Sequence, residues 1–436
     1  MLDNTTIFFI INMFSGIPYS LVSPLLPTLA QEQNFSETIL GFIISIFPLA
    51  VTLFSTVVPI LSKKFSRFKL LSFVVFVESV MTILYGTLIF IPNKTILLIA
   101  VFIVRTIHGI CAGIIGTLVY SLTISFAEKG KTQTSLGRLE VAYSLGSSAG
   151  YLISSVFYKI GGYPLPFFVA GCSEFISFYL TFKINDKNMK KDDEEKKDDD
   201  YNYLKYLLNP EIYSILIGFI VVMINVTYFA PSFANHLNTN YSISVSMTSL
   251  IYITPMIPYI VVMQFLDALT SKFGNYLTFI SGVIILATCS LMIYPVPPLP
   301  QSIIIIIFGF LICGCGGVPV FIPGLVMLAT NIKKSDKSID EMSANDIASV
   351  LNTLCINIGD FIGPILGGYL SEKIGFKLCC LTVSAIVLTY AAIFILFFNA
   401  KIRNDIKMIG KEKKSESKGD KKDEGETEHL KKINLN

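Results

Sequence analysis

Few residues in this chain could do chemistry, and those few stand in unusual places. Asp360 lies in NIGDFIGPILGGYL (357–370), with about a dozen uncharged residues on either side and four glycines and a proline around it. Arg105 and His108 lie in VRTIHGICAG (104–113), Glu78 and Glu174 sit in the middle of other apolar runs, and Glu140 opens one more. Groups of these types serve either to pair charges or to take up and release protons. Low dielectric favours the neutral form of a carboxyl group, which brings its proton exchange toward neutral pH, and imidazole titrates in the physiological range.

Each residue also has a plain structural use. Asp360 could be fixed by hydroxyls of the eighth or tenth run, and Arg105 could clamp the helices around it. His108 could be a hydrogen-bonded packing residue. Glu78 and Glu174 could pair toward the interior of a bundle. Glu140 could bridge to Arg138 or to lysines of a nearby loop.

Several chemistries are excluded. No nucleophile, base and orienting residue occur together, and no P-loop or other nucleotide motif appears, which argues against an enzyme and an ATP-driven pump. The three histidines lack metal-ligand spacing, so neither a metal nor a cofactor is expected, and nothing suggests a nucleic-acid partner. All eight cysteines fall in apolar runs, so disulfides are not expected, and Cys313 and Cys315 read as small packing residues.

The elements that carry these groups follow from composition. The 436 residues are 53% hydrophobic and 15% charged, with mean hydropathy +0.64. Charges gather in clusters separated by runs of about 20 apolar residues, enough to cross a bilayer core of about 30 Å. Twelve runs fall near 5–30, 38–61, 70–92, 96–126, 138–160, 165–184, 209–235, 243–268, 275–296, 301–331, 345–372 and 376–399. The first lacks a basic leader and a cleavage site and is too long for a signal-peptide core, so it reads as a spanning helix. The fold class is therefore an all-α, multi-pass membrane protein in contact with the lipid bilayer.

If the N-terminus is cytoplasmic, 29 of the 34 Lys and Arg residues fall on the cytoplasmic side, four (Lys94, Lys159, Lys373 and Lys377) fall opposite, and Arg105 lies within a span. The positive-inside rule then places both termini in the cytoplasm. The sequons at Asn34, Asn93 and Asn240 all fall on the opposite side. The housing membrane, vesicular or plasma, stays open.

The charged stretch KKDDEEKKDDD (190–200) divides the runs six and six. The expected organisation is an N-terminal half (1–184), a charged linker (185–208), a C-terminal half (209–399) and a disordered tail (400–436), working as a monomer. Shifting the fifth run by 213 positions lays Gly146 on Gly359, Gly150 on Gly363 and Ser154-Ser155 on Gly367-Gly368 without a gap. Two such halves with a site between them at mid-membrane are a common build of secondary transporters.

These residues resemble the major facilitator superfamily, and within it the vesicular amine transporter family, above all its polyamine branch. VRTIHGICAG is similar to the superfamily's R-x-x-Q-G motif, with Arg105 and Gly109 in place and His108 where Gln is usual; Gly109 and Gly113 are expected to serve as packing glycines. Gly359, Gly363, Pro364, Gly367 and Gly368 match the antiporter pattern G-x-x-x-G-P-x-x-G-G, which the superfamily usually carries on helix 5. SEKIGF (371–376), LEVAYSLG (139–146), GGYPLPF (161–167) and SPLLP (23–27) are similar to the polyamine branch and its family.

Departures accompany the likeness. The loop 2–3 signature survives only as PILSKKFSR (59–67), with Lys63 in its Asp position. Acidic positions of the amine transporters are Ser15, Ala230 and Thr353 here. The resemblance implies proton-coupled antiport of an amine or organic cation by alternating access. The missing carboxylates leave open a facilitator or symporter of a neutral or anionic solute, and the eroded loop signature leaves open a receptor-like or scaffold member that moves nothing.

At about 100° per residue, Gly359, Gly363 and Gly367 form one stripe of the eleventh helix, suited to close backbone approach. Thr353, Asn357, Asp360 and Ser371 form a second stripe beside it, which should face protein or a water-filled cavity, because a lipid-facing polar stripe is expensive. Arg105 at its depth is expected to find carboxylates or freed carbonyls. Prolines at 18, 24, 48, 255 and 258 and the CGCGGVPVFIPG run (313–324) are expected to bend helices that must move. The expected solute and proton path comprises Asp360, Arg105, Asn357, Thr353, Glu140, His108 and Glu78.

Overall fold

A computed structural model describes residues 3–126, 132–184 and 203–403. The expected twelve membrane helices are present. In the first half they are α1 (Asn4–Ala30), α2 (Glu37–Ser55), α3 (Arg67–Phe90), α4 (Lys94–Phe126), α5 (Thr132–Gly161) and α6 (Pro164–Thr181). In the second they are α7 (Pro210–Thr227), α8 (Val245–Gln264), α9 (Asn275–Ile293), α10 (Ile303–Ser335), α11 (Glu341–Ile374) and α12 (Phe376–Arg403). Among the described residues ten helices are long and apolar enough to cross a membrane, and α5 and α6 fall outside that set. Glycines and serines dilute α5, and Glu174 lowers the apolarity of the short α6.

Local sequence sets many of the helix ends. Asp3, Ser36, Asn209, Ser244, Ser302 and Asp340 stand at N-caps, and each side chain accepts a backbone N–H of the first turn, satisfying a donor that the helix cannot. Gly375 turns the chain from α11 into α12 at φ +86°, a conformation that favours glycine. The expected bends appear. α1 is interrupted at Gly16, just before Pro18, and α8 breaks at Thr254 before Pro255. Pro24 and Pro27 lie inside α1, Pro48 inside α2, Pro319 and Pro323 inside α10, and Pro364 inside α11.

The glycines account for the packing of the two halves. A Cβ at Gly146 would lie 1.6 Å from the Met13 carbonyl oxygen, and one at Gly150 would lie 2.6 Å from that of Ile17, so α5 packs on α1 backbone to backbone. At the matching positions of α11, a Cβ at Gly359 would lie 2.6 Å from Ile220 O, and one at Gly367 would lie 1.7 Å from Tyr228 O. The repeat therefore extends to its contacts: α5 meets α1 as α11 meets α7. Gly109 and Gly113 press α4 onto the Phe47 and Val51 carbonyls of α2 in the same way.

The halves meet along two helix pairs, α2 with α11 and α5 with α8. Gly368 lies against the Glu37 carbonyl, and the Pro364 carbonyl fills the space beside Gly41. Ser154 and Ser249 are 3.0 Å apart, and Tyr151 stacks on Tyr252 with ring centroids 5.3 Å apart. At the end near loop 31–36, Glu37 accepts from Ser232 at 2.7 Å and from Asn235 at 3.3 Å, and Glu372 accepts the Thr38 backbone N–H at 3.2 Å. Toward the termini the α5–α8 seam loosens. Met256–Gln264 of α8 buries no residue, and Glu140, Val141, Ser144 and Leu145 of α5 are exposed.

The linker stretch 190–200 and the tail beyond Arg403 lie outside the described residues. The last part of the expected linker is a short helix, Tyr203–Leu207, held to the C-terminal half by a Lys205–Asp336 ion pair and by a 3.3 Å hydrogen bond from Tyr206 Oη to Asp336.

Candidate functional site

Asp360 sits on α11 about 14 residues from its end, or roughly 21 Å at 1.5 Å per residue, which is mid-depth in a bilayer. It is buried, with 8% of its surface exposed. Its carboxylate accepts from Tyr19 Oη, 3.3 Å from each oxygen. Tyr19 belongs to α1, so the only acidic residue deep in the second half's spans is bonded from the first half. The glycines around Asp360 are the packing surface that carries α11 against α7 and α2. The carboxylate stands on the neighbouring face, where the halves meet.

The polar stripe expected on α11 is graded. Ser371 and Asp360 are buried, Asn357 is half-buried and Thr353 is exposed. Burial thus declines toward the terminal end of the helix, the direction in which the α5–α8 seam also loosens. Tyr143 and Tyr151 of α5 lie within electrostatic reach of the Asp360 carboxylate.

Arg105 is 1% exposed. The expected carboxylate or carbonyl partners are not what it meets. Its guanidinium lies over the Phe47 ring, with Cζ 4.6 Å from the centroid, while Nε and Nη1 make no hydrogen bond among the described residues. A desolvated cation over a ring face gains about 2 kcal/mol or more, which holds the group in place without neutralising it. The Phe47 ring in turn lies 5.5 Å from that of Tyr19. A continuous path therefore runs from Arg105 (α4) through Phe47 (α2) and Tyr19 (α1) to Asp360 (α11). Gly109, one turn after Arg105 and pressed on the Phe47 carbonyl, brings α4 close enough for this stacking.

His108 and Glu78 face elsewhere. They lie with Glu174 in the core between α3, α4 and α6, and all three are buried. Thr82 Oγ1 is 3.2 Å from His108 Nε2, and it donates to Glu174 at 2.9 Å and 3.2 Å. The structure therefore brings Asp360 and Arg105 into one site and places Glu78 and His108 in another. Glu140 belongs to neither. It is exposed on the terminal part of α5 and accepts from Tyr120 Oη at 2.6 Å, a hydroxyl partner in place of the expected bridge to Arg138 or loop lysines.

Sequence reasoning missed Tyr19, Phe47, Thr82 and the Glu37–Ser232–Asn235 and Glu372–Thr38 contacts. Tyr19 left one faint trace, a hydroxyl deep in an apolar helix between Pro18 and Pro24. Glu372 lies in the SEKIGF segment already singled out, but what it touches depends on the partner helix.

Twelve membrane helices in two matching halves, with a buried polar site where the halves meet, are the build of a membrane transporter that works by rocking its halves. The chain belongs to the Major Facilitator Superfamily, whose family model matches residues 8–338 and 215–433. The mouse MFS-type transporter SLC18B1 is 25% identical over 372 residues, covering 84% of this chain and 79% of that protein. Human SLC18B1 is 25% identical over 379 residues, covering 84% and 80%. The multi-drug resistance efflux pump PmrA of Streptococcus pneumoniae is 27% identical over 183 residues, 41% of this chain and 44% of the pump.

Solved structures share the fold. The nucleoside transporter NupG superposes with a TM-score of 0.69 at 12% identity, covering 90% of this chain and 98% of that one. A bacterial homolog of the human lysosomal transporter Spinster, in an inward-facing, unoccupied conformation, gives 0.72 at 14% identity, covering 92% and 96%. The chain is thus a transporter of small solutes and not an enzyme.

Proposed function

We propose that the protein exchanges protons for an amine or other organic cation by alternating access, with Asp360 as the group that the proton and the cation share. The observation that carries this reading is the Asp360 carboxylate itself, buried at mid-depth between the halves and bonded across them by Tyr19. A carboxylate there attracts a cation or a proton but does not accommodate both, and competition of that kind is what antiport requires. Tyr143 and Tyr151 add aromatic surface of the sort that binds ammonium groups. The resemblance of the sequence motifs to the vesicular amine transporter family lends the substrate class support.

Rocking of the halves about the α2–α11 and α5–α8 seams would carry the site from one face to the other. The proposed orientation keeps both termini in the cytoplasm, as the distribution of basic residues favours. The test is uptake into proteoliposomes under an imposed pH gradient, screened across amines, anions and sugars, with Asp360→Asn in parallel. Gradient-driven amine accumulation that disappears in the Asn variant, with normal folded yield, supports the reading. Wild-type accumulation with unchanged pH dependence in that variant refutes the role of Asp360. A second reading rests on Arg105, whose buried guanidinium makes no ion pair among the described residues: a neutral or anionic solute carried by symport or facilitation, which the anion and sugar arms of the same screen would reveal.

A further inference from the structure

We propose that Glu78 and Glu174, joined through Thr82 to His108, form a second proton-binding site enclosed within the N-terminal half and separate from Asp360. Both carboxyl groups are buried, 2% and 1% exposed, on helices α3 and α6 that pack directly together. Glu78 precedes Thr82 by four residues, so the two share a face of α3. Among the described residues the Glu78 carboxyl accepts no hydrogen bond and neither glutamate has a cationic partner. Two carboxylates without a cationic partner on adjoining helices inside a membrane do not both stay ionised, because like charge and lost hydration oppose it together. The pair therefore keeps at least one proton.

The hydroxyl of Thr82 fixes how a proton could arrive. It carries one hydrogen, for which the Glu174 carboxylate at 2.9 Å and the Glu78 backbone carbonyl at 3.0 Å compete; given to either, it leaves the Thr82 oxygen only accepting toward His108. His108 must then hold its proton on Nε2, and Nδ1 is left as an acceptor. That nitrogen is buried and has no hydrogen-bond partner among the described residues, an unspent position for an incoming proton. A proton bound at Nδ1 lets Nε2–H pass to the Thr82 oxygen while the Thr82 hydrogen passes to a Glu174 carboxylate oxygen. One proton is delivered, Thr82 is unchanged and the imidazole ends as the other tautomer.

The surroundings leave few competing groups. α3 contributes Tyr85, which stacks on His108 with centroids 6.1 Å apart. α4 contributes Cys111 and Arg105, three residues before His108 and held over Phe47. α5 contributes Tyr143, and α1 contributes Tyr19, bonded to Asp360. Arg105 thus belongs to the Asp360 path and, among the described residues, makes no ion pair with either glutamate. In this arrangement the N-terminal half carries its own proton, and the site does not depend on Asp360 being the coupling group.

The test is infrared difference spectroscopy of the purified protein in lipid nanodiscs between acidic and alkaline pH, which reads protonated carboxyl groups and needs no transported solute. The wild type should show a protonated-carboxyl band that persists in Asp360→Asn and is lost or shifted in both Glu174→Gln and Glu78→Gln. Thr82→Val should shift that band by removing the hydroxyl contact. If every pH-dependent carboxyl signal disappears with Asp360→Asn, or if the band is unchanged in either folded Gln variant, the proposal falls. Failure of Asp360 to couple transport would leave the expected band in place, so the two ideas fail separately.

Discussion

Glu37 offers a quantitative test of how the halves close. It lies at the first turn of α2, and its carboxylate accepts from Ser232 at 2.7 Å and Asn235 at 3.3 Å, both just beyond α7 in the opposite half. These bonds span the two halves, so a conformation that separates the halves on that side must break them. A hydrogen bond to a charged group contributes about 1.5–3 kcal/mol. The site is only part-buried and one contact is long, so about 1 kcal/mol each is the fitting magnitude. Glu37→Ala then destabilises the closed arrangement by about 2 kcal/mol, and at 1.4 kcal/mol per tenfold the equilibrium moves roughly 30-fold toward separation.

Spin labels on cysteines placed at Phe90 and Ile304 report the change. Both positions are highly exposed, on α3 and α10 next to the loops of that side, and the exposed native Cys172 would be replaced first. In Glu37→Ala the ratio of the longer to the shorter component in pulsed electron–electron distances should rise roughly 30-fold over wild type. Glu37→Gln should show a smaller gain, because the amide oxygen still accepts. A distance distribution identical to wild type in the Ala variant would show that the glycine contacts at Gly41 and Gly368, not the carboxylate, hold that side shut.

Three further outcomes can be checked directly. Arg105→Ala should abolish transport and lower folded yield, and Arg105→Lys should rescue poorly because a point charge does not reproduce a planar guanidinium on Phe47; full uptake by the Lys variant would show that charge alone matters. Gly146→Ala should cost about 1–3 kcal/mol through overpacking against the Met13 carbonyl, read as a lower thermal midpoint in detergent, while Gly137→Ala in the same helix, with nothing within 4 Å, should hold or raise the midpoint, since Ala favours a helix over Gly. At the terminal end, hydrogen bonds from Lys205 and Ser338 hold the Asp336 carboxyl below the usual carboxylate range. Its contribution is therefore complete above an unfolded value of about 3.9 and is lost as pH falls through the lower folded one; Asp336→Asn should speed amide exchange over Tyr203–Leu207 at neutral pH.

The fold was legible because hydropathy must match the bilayer, and glycine spacing must match close helix approach. The interval from Gly146 to Gly150 and from Gly359 to Gly363 already placed one surface on each half, and the structure finds it against α1 and α7 as the repeat requires. The site was only half legible. A carboxylate or guanidinium in an apolar run announces itself whatever surrounds it, so Asp360 and Arg105 stood out. Tyr19 and Phe47 are ordinary in such runs, and their importance comes from which helices adjoin, which depends on tertiary packing. The expectation that Arg105 meets a carboxylate failed for the same reason: a ring face can hold a buried cation, and the sequence holds far more rings than buried acids.

One asymmetry remains inside the symmetric frame. The glycine contacts of α5 on α1 recur as those of α11 on α7, so both halves have the same mechanical build. The ionisable residues do not recur. Helices α3, α4 and α6 carry the buried Glu78, Arg105, His108 and Glu174, whereas α9 holds no charged residue, and the charges of α10 and α12 lie only near helix ends. The C-terminal half contributes a single deep charge, Asp360, and that one is bonded by the N-terminal half through Tyr19. In the proposed rocking cycle, a motion that separates the halves would therefore strain a bond between one half rich in buried titratable groups and one half with a lone deep carboxylate. Protonation of Asp360 removes the charge that makes the Tyr19 contact strong. Under the proposed proton coupling, the repeat would supply the two conformations, and the unmatched polar residues would decide which of them is favoured at a given proton load.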